Sequence, residues 1–115
     1  MRRLDRVRVL TEPDKQLMRD LKSVILRFVP DATVILYGSV SRGKQGPESD
    51  YDVLVLRGPS VSKQTLEEMD SAIYDLELDR EVVLSVMVST REEWDSPLMS
   101  VSPYHRNVVN DGVLV

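Results

Sequence analysis

The chain contains no cysteine and only one histidine, one tryptophan and one phenylalanine among its 115 residues. The first absence rules out a disulfide framework, a thiolate metal site and a thiol nucleophile. His105 alone cannot build a zinc site. No apolar run approaches about 18 residues, so no segment reads as a membrane span and no membrane partner is expected. Positive charge is not in excess either. The formal net charge is -4, so nucleic-acid binding would need a local basic patch that the totals do not indicate. The Arg-rich opening, residues 1–10, lacks the apolar stretch of a secretory signal, and Asp5 and Glu12 argue against a transit peptide. The expectation is a cytoplasmic protein whose residues 1–10 form an exposed arm or edge strand, with Val7 and Val9 turned inward.

What is present is ordinary for a globular protein: 42% hydrophobic and 30% charged residues. A chain of this length makes one domain, residues 1–115, and buries roughly 65% of its unfolded surface, enough for one core of two or three layers. Thr11 reads as a helix cap, with Pro13 in the first turn and Asp14 placed to close a capping box. Leu17, Leu21, Val24, Ile25 and Phe28 follow at helical spacing, and Pro30 ends the helix. Residues 33–37 form a short β-branched run, expected to be a strand buried on both faces. A second strand runs from Asp50 to Arg57 and stops at Gly58 and Pro59. Ser60 or Ser62 caps a second long helix with Leu66, Met69, Ile73 and Leu76 on its inner face. Asp79 and Arg80 read as the turn into a third strand, residues 82–88, whose apolar character predicts a central position. Thr90 opens a short helix carrying Trp94, and Ser102 with Pro103 opens another that ends before Gly112. The order predicts an α/β or α+β fold, a small sheet covered by helices. Trp94 is expected as a packing anchor, Tyr104 and His105 as surface helix residues, and Met69, Met87 and Met99 as core fillers.

The informative stretch joins the first two strands: Gly38, Ser39, Arg42, Gly43, Lys44, and then Ser49, Asp50, Tyr51 and Asp52. Gly38, four residues, Gly43 and Lys44 nearly spell a Walker A loop. That loop needs a hydroxyl after its lysine and a long helix to hold phosphate. Here Gln45 replaces the hydroxyl, and Gly46 and Pro47 would break the helix. A different arrangement fits better. Asp50 and Asp52 are two apart on a strand, so both carboxylates leave one face while Tyr51 leaves the other. Two hard oxygen ligands beside a glycine-serine turn suit magnesium with phosphate oxygens. Gly38 lets the backbone approach phosphate closely, Ser39 offers a hydroxyl and an amide, and Arg42 either adds positive charge or pairs with an acid such as Glu48.

Gly-Ser after a strand, then Arg-Gly, then Ser-Asp-x-Asp opening the next strand, resembles the signature of the DNA polymerase β-type nucleotidyltransferase superfamily, most closely its minimal members. The signature covers about 15 residues, and the tail from Arg91 to Gly112 is similar to that group's. The resemblance implies a polymerase β-like fold with a mixed sheet and magnesium-dependent transfer of a nucleoside monophosphate from ATP or another triphosphate to a hydroxyl. Asp50 and Asp52 would be catalytic and metal-binding, with Gly38, Ser39, Arg42 and Ser49 on the nucleotide. It also implies a partner, a small helical HEPN protein whose tyrosine is one acceptor; self-association is the other assembly expected. Active relatives carry a third carboxylate on the neighbouring strand. Here the positions to align, Val83 or Ser85, have none. Glu81, roughly 6.5 Å back on the same strand face, is the candidate substitute, and a solvated strand-start residue is its plainer reading. The rival expectation is a binding module, an antitoxin subunit that acts by contact after losing its chemistry.

Overall fold

The computed structural model describes residues 1–44, 46 and 50–115. The elements are β1 (Arg2–Arg3), a 3-10 turn (Leu4–Arg6), α1 (Glu12–Phe28), β2 (Thr33–Tyr37), α2 (Gly38–Ser41), β3 (Tyr51–Arg57), α3 (Lys63–Arg80), β4 (Leu84–Thr90), α4 (Arg91–Trp94), α5 (Pro97–Ser100), α6 (Pro103–Asp111) and β5 (Val113–Leu114). The strands form one mixed sheet in the order β1-β5-β2-β3-β4. β2 is antiparallel to both β3 and β5, while β4 is parallel to β3 and β1 is parallel to β5.

Local chemistry sets the helix ends. Thr11 and Asp14 form the capping box that starts α1, each side chain accepting from the other's backbone N–H at 3.2 Å. Ser62, Thr90, Ser96 and Ser102 cap α3, α4, α5 and α6 in the same hydroxyl-to-amide way. Alternation divides the sheet between two cores. Val34, Leu36, Val53, Val55 and Leu84 join Met18, Leu21, Ile25 and Met69 beneath α1 and α3. Ile35, Leu54 and Leu56 turn to the other face and meet Trp94 and Val108. The two strands that bracket the glycine-serine turn are therefore locked on both sides.

Four expectations are corrected. The third strand is an edge strand, since β4 is bonded to β3 alone among the described residues. Its apolar character belongs to one face, with Leu84, Val86 and Val88 on the core under α1 and α3. Ser85, Met87 and Ser89 alternate to the opposite side, where Met87 is 57% exposed rather than a core filler. The turn before β4 also falls later, because α3 continues through Arg80 and ends on Glu81 in the left-handed region, φ 54°. At the start of the chain Leu4, Val7 and Leu10 are buried but Val9 is exposed. Among the described residues no helix is long and apolar enough to cross a membrane.

Candidate functional site

The site grows from the register of β2 on β3. Tyr37, the last residue of β2, pairs with Asp52, so the turn that follows it comes down beside that carboxylate. Gly38 has φ +80°, and a Cβ there would sit well under 3.0 Å from Asp52 Oδ2. Glycine is required twice, for its backbone angle and for the space the carboxylate occupies. From Gly38 the chain makes the short helix α2, closed by the Ser41 hydroxyl donating to Gly38 O at 2.6 Å. The Arg42 and Lys44 amides donate to Ser39 O at 3.1 and 3.0 Å. The turn is therefore tied down by its own backbone.

Asp50 immediately precedes β3, and its carboxylate meets the side of the sheet that Asp52 faces. Ser85 is the register partner of Asp52 on β4, and its hydroxyl donates to Asp50 Oδ2 at 3.3 Å. Partial burial, and then the negative charge of Asp50, push the Asp52 carboxyl above the ordinary carboxylate value. Tyr51 points to the opposite face, where its hydroxyl donates to Asp14 Oδ1 at 2.7 Å. Burial and that bond push the phenol up to about 12. The residue between the two aspartates thus fastens β3 to the capping box of α1.

Arg42 is spoken for. It pairs with Asp111 at 2.8 Å, at the end of α6, and Arg2 reaches the same corner, donating to Ser41 O and Asp111 O at 3.1 and 2.6 Å. Its partner is a carboxylate 69 residues away, which no local pattern reveals. Ser49 and Glu48 lie outside the described residues. Glu81 does not occupy the strand position expected of it. β4 begins at Leu84, and Glu81 is the exposed left-handed residue that closes α3. No group of three acids or histidines able to hold a metal occurs among the described residues. The structure thus brings together Gly38, Asp50 and Asp52, and adds Ser85.

An aromatic cluster missed in the sequence lies on the Asp52 side of the sheet. Tyr37 and Tyr104 meet edge to face at 5.6 Å, Tyr104 meets Trp94 at 5.8 Å, and Trp94 stacks on His105 at 4.3 Å. Burial first, then Tyr104 and the Asp52 charge, raise the Tyr37 phenol above its ordinary value. Tyr104 packs into the second core, so it is not the surface residue expected. These residues come from a strand and two short helices, and no periodicity links them. Trp94 is the packing anchor expected of it.

The mixed sheet, the glycine turn against Asp52 and the paired carboxylates opening β3 define a polymerase β-like nucleotidyltransferase fold. The chain belongs to the nucleotidyltransferase domain family, whose pattern matches residues 18–112. A solved structure described as a crystal structure of a toxin-antitoxin with AMP-PNP superposes with a TM-score of 0.55. The match covers 84% of this chain and 70% of that one at 19% identity, so the likeness is one of fold. No curated protein sequence matches the chain.

Proposed function

We propose that this chain binds a magnesium nucleoside triphosphate, ATP in the first instance, and slowly transfers its nucleoside monophosphate to a hydroxyl on a partner. The observation that carries the reading is the packing of the Gly38 turn against Asp52, with Asp50 on the same face. The donor set fits a hard divalent cation: two carboxylate side chains on one face, one of them held high in pKa partly by its neighbour's charge. Asp50 and Asp52 would hold magnesium, which when bound supplies positive charge to the triphosphate and to the charge that develops as pyrophosphate leaves.

The chain's own residues do the rest. Gly38 leaves the backbone bare where phosphate approaches, and Ser39 offers its hydroxyl there. Ser85 steadies Asp50 with its hydroxyl. In the transfer, the acceptor oxygen bonds to the α-phosphorus while the bond from that phosphorus to pyrophosphate breaks, in line. The acceptor proton passes to water, because the strand beside Asp52 presents a serine where a carboxylate base would stand. A positioned base contributes about 10²- to 10⁴-fold, so the site should bind well and turn over slowly.

Family membership supports nucleotidyl transfer in general, and the structural neighbour, a toxin-antitoxin with AMP-PNP, supports a nucleotide and a protein partner. On this reading the partner is a small helical protein of the HEPN kind, and the acceptor is a tyrosine on it. The acid-free β4 favours a second reading, a nucleotide-binding antitoxin subunit that acts by contact. Purified chain with magnesium and ATP labelled at the α-phosphate, alone and with a co-purifying partner, separates them. Transfer to the partner supports the enzyme, and binding without transfer supports the contact antitoxin. Absence of magnesium-dependent binding removes both.

A further inference from the structure

Among the described residues β4 is the strand with a long free edge. Its inner side is identified by Tyr51, whose N–H donates to Val83 O at 3.0 Å. Successive residues in a strand turn their backbone groups to opposite sides, so Ser85, Met87 and Ser89 follow Val83 in facing β3. Leu84, Val86 and Val88 then turn theirs outward. The Leu84 N–H bears this out by donating to Glu77 Oε2 of α3 at 3.3 Å, away from the sheet. Past that point no described residue bonds to the outward groups of Val86 and Val88. The usual protections of an edge are missing, since Leu84–Thr90 contains no lysine, no proline and no other charged residue. Its pairing with β3 also runs unbroken from Leu84 to Thr90, without a bulge.

The flank of this edge has a definite character. Tyr74, Glu77 and Leu78 share one stripe of α3, and Glu77 reaches β4, so Tyr74 and Leu78 lie along the same edge, 59% and 61% exposed. Residues 63–81 hold seven acids and two bases, whereas the rest of the chain has twelve acids and thirteen bases. The α3 segment that flanks the edge through Glu77 therefore carries all of the net negative charge. A second copy added edge to edge would set two such helices side by side, like charge against like.

We infer that β4 takes up an extended, basic segment of a partner protein as an added strand. Backbone pairing with Val86 and Val88 supplies the register, and basic side chains meet Glu77 and its acidic neighbours on α3. An added strand lies about 4.8 Å from β4. Its residue beside Ser85 therefore borders the face of Asp50 and Asp52, on the side where this chain offers only a hydroxyl. The inference rests on backbone and charge at the edge and holds whether or not the nucleotide site works.

The test uses the whole chain, without nucleotide, and three synthetic octapeptides: alternating Lys-Val, alternating Glu-Val, and a basic helical peptide of equal charge. Binding and amide exchange at Val86 and Val88 are followed by NMR. The Lys-Val peptide should bind at least about tenfold more tightly than the other two and protect both amides. Val88→Pro deletes one outward N–H without breaking the ladder to β3 and should weaken binding about fivefold. Met87→Lys, which leaves every backbone group in place, should weaken it too and tests the idea if the proline variant does not fold. Equal binding of all three peptides, exchange at Val86 and Val88 unchanged by the Lys-Val peptide, or protection of those amides by dimerisation of the chain alone would each overturn the proposal.

Discussion

β3 and β4 lie side by side, parallel and seven residues long, yet they are built for different tasks. β3 is walled on both faces, with Val53, Leu54, Val55 and Leu56 buried, and this rigid strand carries Asp52, with Asp50 just before it. β4 is covered on one face and opens to solvent at Met87 on the other, and at the level of Asp52 it presents Ser85. The half of the site that needs precision stands on the buried strand. The half that would carry a base stands on an edge and is vacant of acid. On the proposed function, the contrast is between carboxylates held on a fully buried strand and a catalytic complement left to another group or another chain.

The largest effect should come from β3. Asn at Asp50 or Asp52 removes one of the two proposed magnesium ligands, and magnesium-dependent ATP affinity should fall more than about 100-fold, beyond the loss seen when mere supporting groups are removed. Asp52→Asn should at the same time raise the melting temperature without magnesium. The folded carboxyl has a raised pKa, so its cost is full above that value and disappears as pH falls through it. The gain should accordingly shrink in acid, which calorimetry across pH would reveal.

On the β4 side, Ser85→Asp sets a third carboxylate beside Asp52 and Asp50. Transfer should rise by about 10²-fold, and the variant should melt lower without magnesium and recover with it. A rate unchanged in initial-velocity assays would show that the missing acid does not limit the reaction. Gly38→Ala comes next. It forces an alanine to φ +80° and drives its Cβ into Asp52, for roughly 1–3 kcal/mol of strain in a denaturant titration, together with weaker nucleotide binding. Ser39→Ala should then cost more ATP affinity than Lys44→Ala, whereas a Walker A loop would show the reverse order.

The smallest effect lies far from the site. A hydrogen bond from Arg80, then one from Gln16, hold the Asp20 carboxyl below its ordinary value, and the pair joins α3 to α1. Its contribution is full above the unfolded pKa and lost as pH falls through the folded one. Because solvent screens the pair, Asp20→Asn should lower the melting temperature only slightly near neutral pH and not at all in strong acid, as calorimetry across pH would show.

Legibility followed the range of the forces. Thr33–Tyr37 can be read residue for residue because β-branched composition and the following glycine are local signals, and the capping box of α1 because all its partners sit within four residues. The shared face of Asp50 and Asp52 is expected from their spacing of two, although β3 itself begins only at Tyr51. Strand order does not: β4 looks central because composition reports one well-packed face and says nothing of neighbours. Glu81 reads as a strand residue because α3 ends on a left-handed glutamate, with no glycine or proline to mark the stop. The Arg42 pairing with Asp111 and the cluster of Tyr37, Tyr104 and Trp94 join distant segments, beyond any spacing rule.

On the proposed function the triphosphate sits between the Gly38 turn and the two aspartates at the start of β3. A titration of the natural chain with magnesium-ATP, followed by NMR at every backbone amide, tests it most directly. Saturable, magnesium-dependent shifts are expected at Gly38, Ser39, Asp50, Asp52 and Ser85, and they should be lost in Asp52→Asn. Shifts centred instead on the cavity at the opposite end of the sheet, lined by Phe28, Pro30, Gly58 and Ser60, or unaltered in Asp52→Asn, would contradict it.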